Sequence, residues 1–297
     1  MSTRRRELIE NSDLVSVGTL DPLAGVDAIS GVRVHHVGQG DCISILDDQG
    51  DPVFTIDYGG RQSNPFRGMK PGQVDARLPV QQGRLLMLTH WDEDHWCMAK
   101  KAAAVTNEQW LVPRQLTSPR AVRFTSQLTN IQCIPPTHDQ GAFCFSAMNG
   151  DEIWFEKLAP SSNAATRQED CNATGVAFSV VKKSDGKPDS VILLPGDAPF
   201  HKVKHYSKLQ SDGKLLRGLV AFHHGSANHW TSSTEDLLAK WNRPANLKTV
   251  VAFSYGDPNS YGHPNTLKYS KVFGAMLDKL KIPESVGPQP GHEDILF

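Results

Sequence analysis

The feature that most constrains this chain is a short apolar run that leads directly into a dense group of histidines and carboxylates. Residues 85–88 are Leu-Leu-Met-Leu, which is typical of a short buried strand that ends at the edge of a sheet. Two histidines and three carboxylates then follow within six residues: His90, Asp92, Glu93, Asp94 and His95. Imidazole nitrogens and carboxylate oxygens suit zinc, manganese or iron(II), and a metal pair would offset the repulsion between the carboxylates. The run therefore predicts a metal centre.

The spacing within this run favours two metal positions. If a loop follows the strand, His90 and Asp92 face one point, and Asp94 and His95, at the start of a helix, face a second point nearby. The alternative is a solvated, acidic helix N-terminus in which the carboxylates are stabilised by the helix dipole. That alternative leaves both histidines unexplained, so the dinuclear interpretation is preferred.

The pattern His90-x-Asp92-x-Asp94-His95 resembles the His-x-His-x-Asp-His signature of the metallo-β-lactamase superfamily. Aspartate in the second position is typical of one branch, the soluble domains of bacterial DNA-uptake channel proteins and their free-standing relatives. Two further stretches, 37–42 (Val-Gly-Gln-Gly-Asp-Cys) and 54–60 (Phe-Thr-Ile-Asp-Tyr-Gly-Gly), also resemble that branch. The resemblance implies an α/β fold, a four-layer αββα sandwich with two halves. It also implies that Asp57 supports the metal-binding loop without binding the metal, although a simple turn residue remains the alternative.

Three later motifs complete the ligand set that the resemblance implies. A buried strand runs into Gly196-Asp197, and this aspartate would bridge two metals. The run 223–226 (His-His-Gly-Ser) supplies His224, because a strand cannot aim two successive side chains at one metal. His263 is either the last ligand or a general acid and phosphate contact. The predicted metal ligands are thus His90, Asp92, Asp94, His95, Asp197, His224 and His263.

Other residues of these motifs are predicted to serve the reaction. Asp94 would position the attacking hydroxide, and His224 or His263 would assist the leaving oxygen. Asn172 stands where the wider superfamily has a metal-binding histidine, so it would hold a water or a substrate phosphate, and the number of metals stays open. The predicted substrate contacts are His223, Ser226 and Asn172, with Asn228 and His229 as further candidates.

The bulk composition limits the class of protein. Of 297 residues, 39% are hydrophobic and 21% are charged, which predicts a folded core. We expect an N-terminal tail (1–30) followed by one hydrolase domain (31–297). Five cysteines without a Cys-x-x-Cys pair, together with the lack of any roughly 20-residue apolar stretch, favour a cytoplasmic protein that does not enter a membrane. The net charge of −1 gives no sign of nucleic-acid binding. A local basic rim, from loop 61–83 or from the lysine-rich segment 182–217, would still allow it, and ordinary solvated surface is the alternative for both.

We therefore expect a metal-dependent hydrolase, most simply a phosphodiesterase or nuclease acting on DNA or another nucleic acid. It would use two divalent ions, zinc or manganese, with magnesium as a third option. One alternative is a hydrolase of small molecules such as a lactone, a thioester or a cyclic nucleotide. Another is a regulatory module that binds metal without turnover. The sequence does not identify protein partners. The pattern also predicts helices over 93–105 and 265–281 and a last edge strand at 295–297.

Overall fold

The computed structural model of the chain describes residues 6–7, 21–60, 66, 70, 73–74, 78, 84–134, 142–159, 171–227, 229–243, 248–256, 260–274, 277–281 and 291–297. Most of loop 61–83, with Arg61 and Arg67, and the candidate Asn228 lie outside these residues. The five cysteines all lie within them, and all are free thiols. No helix in the described part of the chain is both long and apolar enough to cross a membrane.

In the part of the chain that the structure describes, fourteen strands form two seven-stranded mixed sheets. The first sheet has the order β16-β2-β3-β4-β5-β6-β8 and the second has the order β15-β14-β13-β12-β11-β10-β9. A short pair, β1 (Arg6–Glu7) with β7 (Leu116–Thr117), stands apart. The strands of the first sheet are β2 (Ile29–His35), β3 (Ile43–Asp47), β4 (Pro52–Ile56), β5 (Leu85–Met87), β6 (Gln109–Pro113), β8 (Asn130–Ile134) and β16 (His292–Leu296). Those of the second are β9 (Phe143–Ser146), β10 (Glu152–Lys157), β11 (Val176–Lys182), β12 (Ser190–Leu194), β13 (Leu215–Val220), β14 (Thr249–Ala252) and β15 (Leu277–Lys281).

The two sheets repeat one topology. In each sheet three antiparallel pairs are followed by three parallel pairs, from β4 onward in the first and from β12 onward in the second. The α-helices are α1 (Ala103–Thr106), α2 (Pro119–Thr125), α3 (Lys204–Ser211), α4 (Ser232–Ala239) and α5 (Thr266–Phe273). The chain is thus a sandwich of two similar halves.

Three apolar clusters show how the layers stack. The central cluster takes side chains from both sheets, such as Ile45 and Phe54 from the first and Phe178 and Ile192 from the second. A second cluster joins the outer face of the first sheet to α1 and α2, and a third joins the outer face of the second sheet to α3, α4 and α5. Because alternate residues of a strand point to opposite faces, each sheet buries both faces. The predicted α/β class with αββα layers is confirmed.

Several local predictions need correction. Residues 93–105 do not form one helix, since 3₁₀ turns at Glu93–His95 and Cys97–Lys101 precede the four-residue α1. The predicted helix over 265–281 ends at Phe273, where Gly274 has a φ of 51°, and Leu277–Lys281 instead pairs with β14. The last edge strand is confirmed as β16. The boundary between tail and domain at residue 30 stays a prediction, although Leu23 and Val26 already belong to the central core.

Candidate metal centre

The carboxyl ends of five strands meet at one edge of the sandwich and deliver the polar motifs there. Asp57 follows β4, the 90–95 run follows β5, Asp197 follows β12, the histidine pair 223–224 follows β13, and Ser254 follows β14. The sheets are linked at this edge, because the Val176 amide, on the second sheet, donates to the Thr89 carbonyl, after the first, at 2.8 Å. Within the second sheet, the His223 amide donates to the Gly196 carbonyl at 2.9 Å and joins the loops after β12 and β13. Ends of parallel strands are the usual ligand-binding edge of α/β sheets.

Close backbone packing holds the 90–95 loop in place. The amides of Tyr58 and Gly60 donate to the carbonyls of His95 and Asp94, both at 2.9 Å. A Cβ atom on Gly59 would lie 1.7 Å from the Asp94 carbonyl oxygen, and one on Gly40 would lie 2.0 Å from it. Only glycine fits at these two positions, so the Gln39–Asp41 turn and the 57–60 turn clamp the loop from two sides.

Three buried imidazoles converge on the Asp197 carboxylate. The Nε2 atoms of His95 and His224 both lie 3.6 Å from Asp197 Oδ1, and His90 Nε2 lies 3.7 Å from Asp197 Oδ2. Asp92 and Asp94 flank this group, with Asp92 Oδ2 3.7 Å from His90 Nε2 and Asp94 Oδ2 3.6 Å from His224 Nε2. Two groupings share His95 and lie side by side: His90, His95 and Asp197, and Asp94, His95 and His224.

The donor set fits divalent ions. The three Nε2 atoms and Asp197 Oδ1 are buried and have no hydrogen-bond partner within the described chain. Buried polar atoms are rarely left unpaired, since each orphan costs about 1–3 kcal/mol. Two ligands about 2.1 Å from one tetrahedral ion lie about 3.4 Å apart, close to the spacings between these atoms. We conclude that this cluster can hold divalent metal.

A second group of buried residues orients the imidazoles. Asp57 Oδ2 lies 2.7 Å from His95 Nδ1, and its two oxygens accept hydrogen bonds from the amide and hydroxyl of Thr89, both at 2.7 Å. His224 Nδ1 lies 2.7 Å from the Ser254 carbonyl oxygen, and Asp41 Oδ1 lies 3.5 Å from the same nitrogen. Carboxylates and carbonyls that fix the far nitrogen of a ligating histidine set its tautomer and orientation.

Backbone strain is concentrated at this edge. Among described residues other than glycine, positive φ angles occur at Asp57 (58°), His223 (48°) and His224 (54°). The sequence argument placed both histidines on a strand, but β13 ends at Val220 and both lie in a left-handed turn. Both imidazoles therefore approach Asp197, with His223 Nδ1 3.1 Å from Oδ2. Such conformations cost about 1–3 kcal/mol each and cluster at functional sites.

The electrostatics of the cluster suit a bound cation. Burial raises the pKa of Asp197, but the neighbouring histidines, His223 first, lower it well below its ordinary value. Burial and the charge of His95 lower the pKa of His90 well below its ordinary value. Burial also lowers the pKa of His95 and His224, but Asp197 with Asp57 or Asp41 raises both well above the ordinary value. The Asp197 carboxylate is thus ionised. The raised pKa of His95 and His224 shows that this buried site favours positive charge.

A cavity of about 240 Å³ opens over the cluster. Its walls combine acids, histidines, two aromatic side chains and one arginine. The described lining residues are Gln39, Trp91, Asp92, Glu93, Asp94, Ser118, Arg120, Asp197, His223, His224, Tyr261 and His263. The Tyr261 and His263 rings stack at 5.8 Å, and His223 stacks on His229 at 3.7 Å. The cluster is therefore accessible from one side through a polar opening.

The structure brings most of the predicted residues together. Asp57 lies behind the cluster. The predicted ligands that form the cluster are His90, Asp92, Asp94, His95, Asp197 and His224. His263 lines the cavity with its ring 6.1 Å from that of His223, outside the metal-binding groupings of the described residues. Asn172 is buried, its Nδ2 lies 3.4 Å from His223 Nδ1, and its Oδ1 lacks a hydrogen-bond partner within the described residues. Ser226 is buried and is not one of the described lining residues. The roles of all these residues stay predictions.

Asp41, Gln39 and Thr89 had no predicted role at the site, and neither had the cavity residues Trp91, Ser118 and Arg120. Asp41 forms a metal-binding grouping with Asp197 and His224, Gln39 lines the cavity, and Thr89 joins Asp57 to the ligand loop. Gln39 and Asp41 belong to the turn that carried part of the family resemblance. The glycines around them, which allow close packing on the loop, were the available signal.

No protein-family model matches the chain, and no curated protein matches it. Solved structures similar to it include a diphosphatase of the PhnP family, at 10% identity over 90% of this chain and 100% of that one, with a TM-score of 0.44. Zn²⁺-bound PqqB from Methylobacterium extorquens has 11% identity, coverages of 86% and 87% and a TM-score of 0.44. The short form of human tRNase Z has 10% identity, coverages of 89% and 99% and a TM-score of 0.42. At these values the similarities say nothing about activity, and the assignment of the site rests on its own residues.

Proposed function

We propose that this chain is a metal-dependent hydrolase of phosphate esters, a phosphodiesterase or nuclease. The observation that carries the proposal is the set of buried, unpaired donors on His90, His95, His224 and Asp197 beneath an open polar cavity. Bound divalent ions would supply a water of lowered pKa and positive charge beside the ester. The arrangement of ligand atoms in two groupings that share His95 supports a pair of ions.

The residues around the cavity would have separate roles in the reaction. Asp94, one-fifth exposed, reaches both the cluster and the cavity and orients the attacking water. His224 is buried, with Nδ1 held by the Ser254 carbonyl and Nε2 facing Asp197, so it binds metal rather than assisting the leaving oxygen. His263 is half-buried on the cavity wall, and it would hydrogen-bond that oxygen. The N–H and O–H groups of His223 and Tyr261 match the non-bridging oxygens of a phosphodiester.

The lysines and arginines of the basic segment 182–217 are not among the described residues that line the cavity. Val176 and Lys182 are the first and last residues of β11, and the Val176 amide donates to the Thr89 carbonyl next to the 90–95 loop. At about 3.3 Å per residue, Lys182 therefore lies about 20 Å from Val176. Its ammonium lies 2.8 Å from Asp151, and Lys214 lies 2.6 Å from Asp189. The described lysines and arginines of this segment therefore add no positive charge to the cavity wall.

The small cavity favours a second candidate, a hydrolase of small phosphodiesters such as cyclic nucleotides. A volume of about 240 Å³ lies below the roughly 300–1,000 Å³ typical of ligand pockets. Such a cavity admits one phosphodiester and a neighbouring group more readily than a duplex. Both candidates share the same chemistry and differ in what extends beyond the scissile phosphate.

The test uses metal-stripped protein resupplied with manganese, magnesium or zinc. Hydrolysis of bis(4-nitrophenyl) phosphate, cyclic nucleotides and single- and double-stranded DNA is measured for wild type and for the Asp94→Ala/His95→Ala double variant. His292→Ala, an exposed histidine on β16, is the matched control. Metal-dependent hydrolysis that is lost only in the double variant supports the proposal. Bound metal with no phosphoester hydrolysis would refute it and leave the non-catalytic metal-binding module or a lactone or thioester hydrolase.

A further inference from the structure

Arg120 is the one lysine or arginine among the described residues that line the cavity. It lies in the first turn of α2, and its side chain is 63% exposed. The same cavity is lined by the acids Asp92, Glu93, Asp94 and Asp197. Metal ions at the cluster would offset the charge of the ligand carboxylates, but they would leave Arg120 as a separate positive group on the cavity wall.

The partner of Arg120 is Glu93, the carboxylate between Asp92 and Asp94 in the loop. Arg120 Nη1 lies 3.0 Å and 3.4 Å from the two Glu93 oxygens, and Lys100 Nζ lies 3.9 Å from the same carboxylate. An exposed ion pair of this kind contributes only about 0–1 kcal/mol and is screened by salt. Lys100 can keep Glu93 partly neutralised, so Arg120 can leave Glu93 for a stronger anion at little cost.

The fold does not require the Arg120 side chain. Helix α2 is capped by Ser118, whose hydroxyl accepts from the Ala121 amide at 3.2 Å, and it is anchored by the buried Ala121 and Phe124. Phe124 stacks on Trp96 with ring centroids 4.9 Å apart. The guanidinium therefore remains at the opening with no packing role, where its planar set of donors matches a phosphate group.

We propose that Arg120 binds a second phosphate group of the substrate, next to the phosphodiester that is hydrolysed. The inference rests on the proposed function and narrows it to substrates with neighbouring phosphates, such as an oligonucleotide or a terminally phosphorylated dinucleotide. In this arrangement the scissile phosphate would lie over His90, His95, His224 and Asp197, and Arg120 leaves Glu93 to take the adjacent phosphate.

The test compares dinucleotides that differ by one phosphate. Binding of TpT, pTpT and TpTp to the metal-loaded full chain is measured by calorimetry for wild type, Arg120→Ala and Arg120→Lys. Arg123→Ala, an exposed arginine on the same helix that does not line the cavity, is the control. We expect wild type and Arg123→Ala to bind pTpT or TpTp at least about tenfold more tightly than TpT. Arg120→Ala should reduce this preference to about twofold or less, and Arg120→Lys should keep part of it.

Equal affinity of wild type for all three dinucleotides would overturn the inference, and so would a preference that survives in Arg120→Ala. Turnover of bis(4-nitrophenyl) phosphate is followed in parallel and reports on the proposed function separately. No turnover by the wild-type protein would refute the hydrolase. Turnover by a wild-type protein that shows no preference for the extra phosphate would refute only the role of Arg120. A higher salt concentration should weaken the preference of wild type, because the second contact is an exposed ion pair.

Discussion

The Asp57 carboxylate holds the His95 imidazole by its far nitrogen, with Oδ2 2.7 Å from Nδ1, so that His95 Nε2 faces Asp197. Both partners are fully buried, and Asp57 adopts a positive φ of 58° to make the contact. Burial raises the pKa of Asp57 to about 6, although His95 opposes the rise. A strained, buried carboxylate with three hydrogen-bonding contacts therefore determines the direction of the His95 imidazole.

The first prediction follows from this contact. Asp57→Asn replaces one of the accepting oxygens with an N–H₂ group, which cannot satisfy both Thr89 and His95. We expect metal affinity to fall about 10–100-fold, measured by competition with a chelator, because partners of ligating histidines typically have effects of this size. Asp151→Asn is the control, since Asp151 is equally buried but bonds Lys182 and the Ile29 amide, far from the cluster. It should lower Tm without changing metal affinity, and an equal loss of metal affinity in both variants would contradict the prediction.

The second prediction concerns the number of ions. Asp197 contacts His95 and His224 through Oδ1 and His90 and His223 through Oδ2, so its removal affects both groupings. We expect Asp197→Ala to lose most of its bound metal, measured by atomic emission, whereas His90→Ala should lose about one ion per chain. His292→Ala should retain the wild-type content. A His90→Ala protein that keeps the full wild-type content would exclude His90 as a ligand.

The third prediction concerns Gln39 in the cavity wall. Gln39 is 2% exposed, and its Oε1 has no hydrogen-bond partner within the described residues. Removing a buried, unsatisfied acceptor costs little or stabilises, since its desolvation is no longer uncompensated. Gln39→Met should therefore leave Tm unchanged or higher while raising KM about tenfold, because the amide is free to bind substrate. An unchanged KM would show that the amide does not contact substrate, and a large drop in Tm would show that it holds the turn.

The sequence predicted the parts of this site that follow directly from a strand. The 90–95 run, Asp197 and His224 each come after an apolar run, and the edge where parallel strands end brings them together. Arg120 carries no such signal, because it reaches the cavity only through the packing of α2 on the first sheet. The alanine-rich stretch after His95 predicted a long helix, but the hydrogen bonds from Tyr58 and Gly60 force the loop to turn. Tertiary contacts therefore overrode local helix propensity.

The last prediction concerns the pH dependence of stability, through His35 on β2. His35 is 9% exposed, and its Nε2 lies 2.9 Å from Ser44 Oγ. Burial first, and then the charges of Arg33 and His292, lower its pKa to about 3, against an unfolded value of 6.5, while Asp294 opposes the shift. Between pH 6.5 and 3, the His35 imidazole binds a proton in the unfolded chain but not in the folded chain. The contribution of His35 to the free energy of unfolding is therefore complete above pH 6.5 and is lost as pH falls towards 3. The loss is about 1.4 kcal/mol per pH unit below 6.5.

His35→Gln keeps a polar side chain near Ser44 and removes the titration. The free energy of unfolding, measured in urea at pH 7 and pH 5, should therefore fall less in His35→Gln than in wild type. The difference between the two falls should be about 2 kcal/mol, from 1.5 pH units at 1.4 kcal/mol each. The comparison cancels the titration of the metal cluster, which both proteins share. Parallel pH profiles for the two proteins would show that His35 already titrates normally in the fold, through water admitted at the edge between β2 and β16.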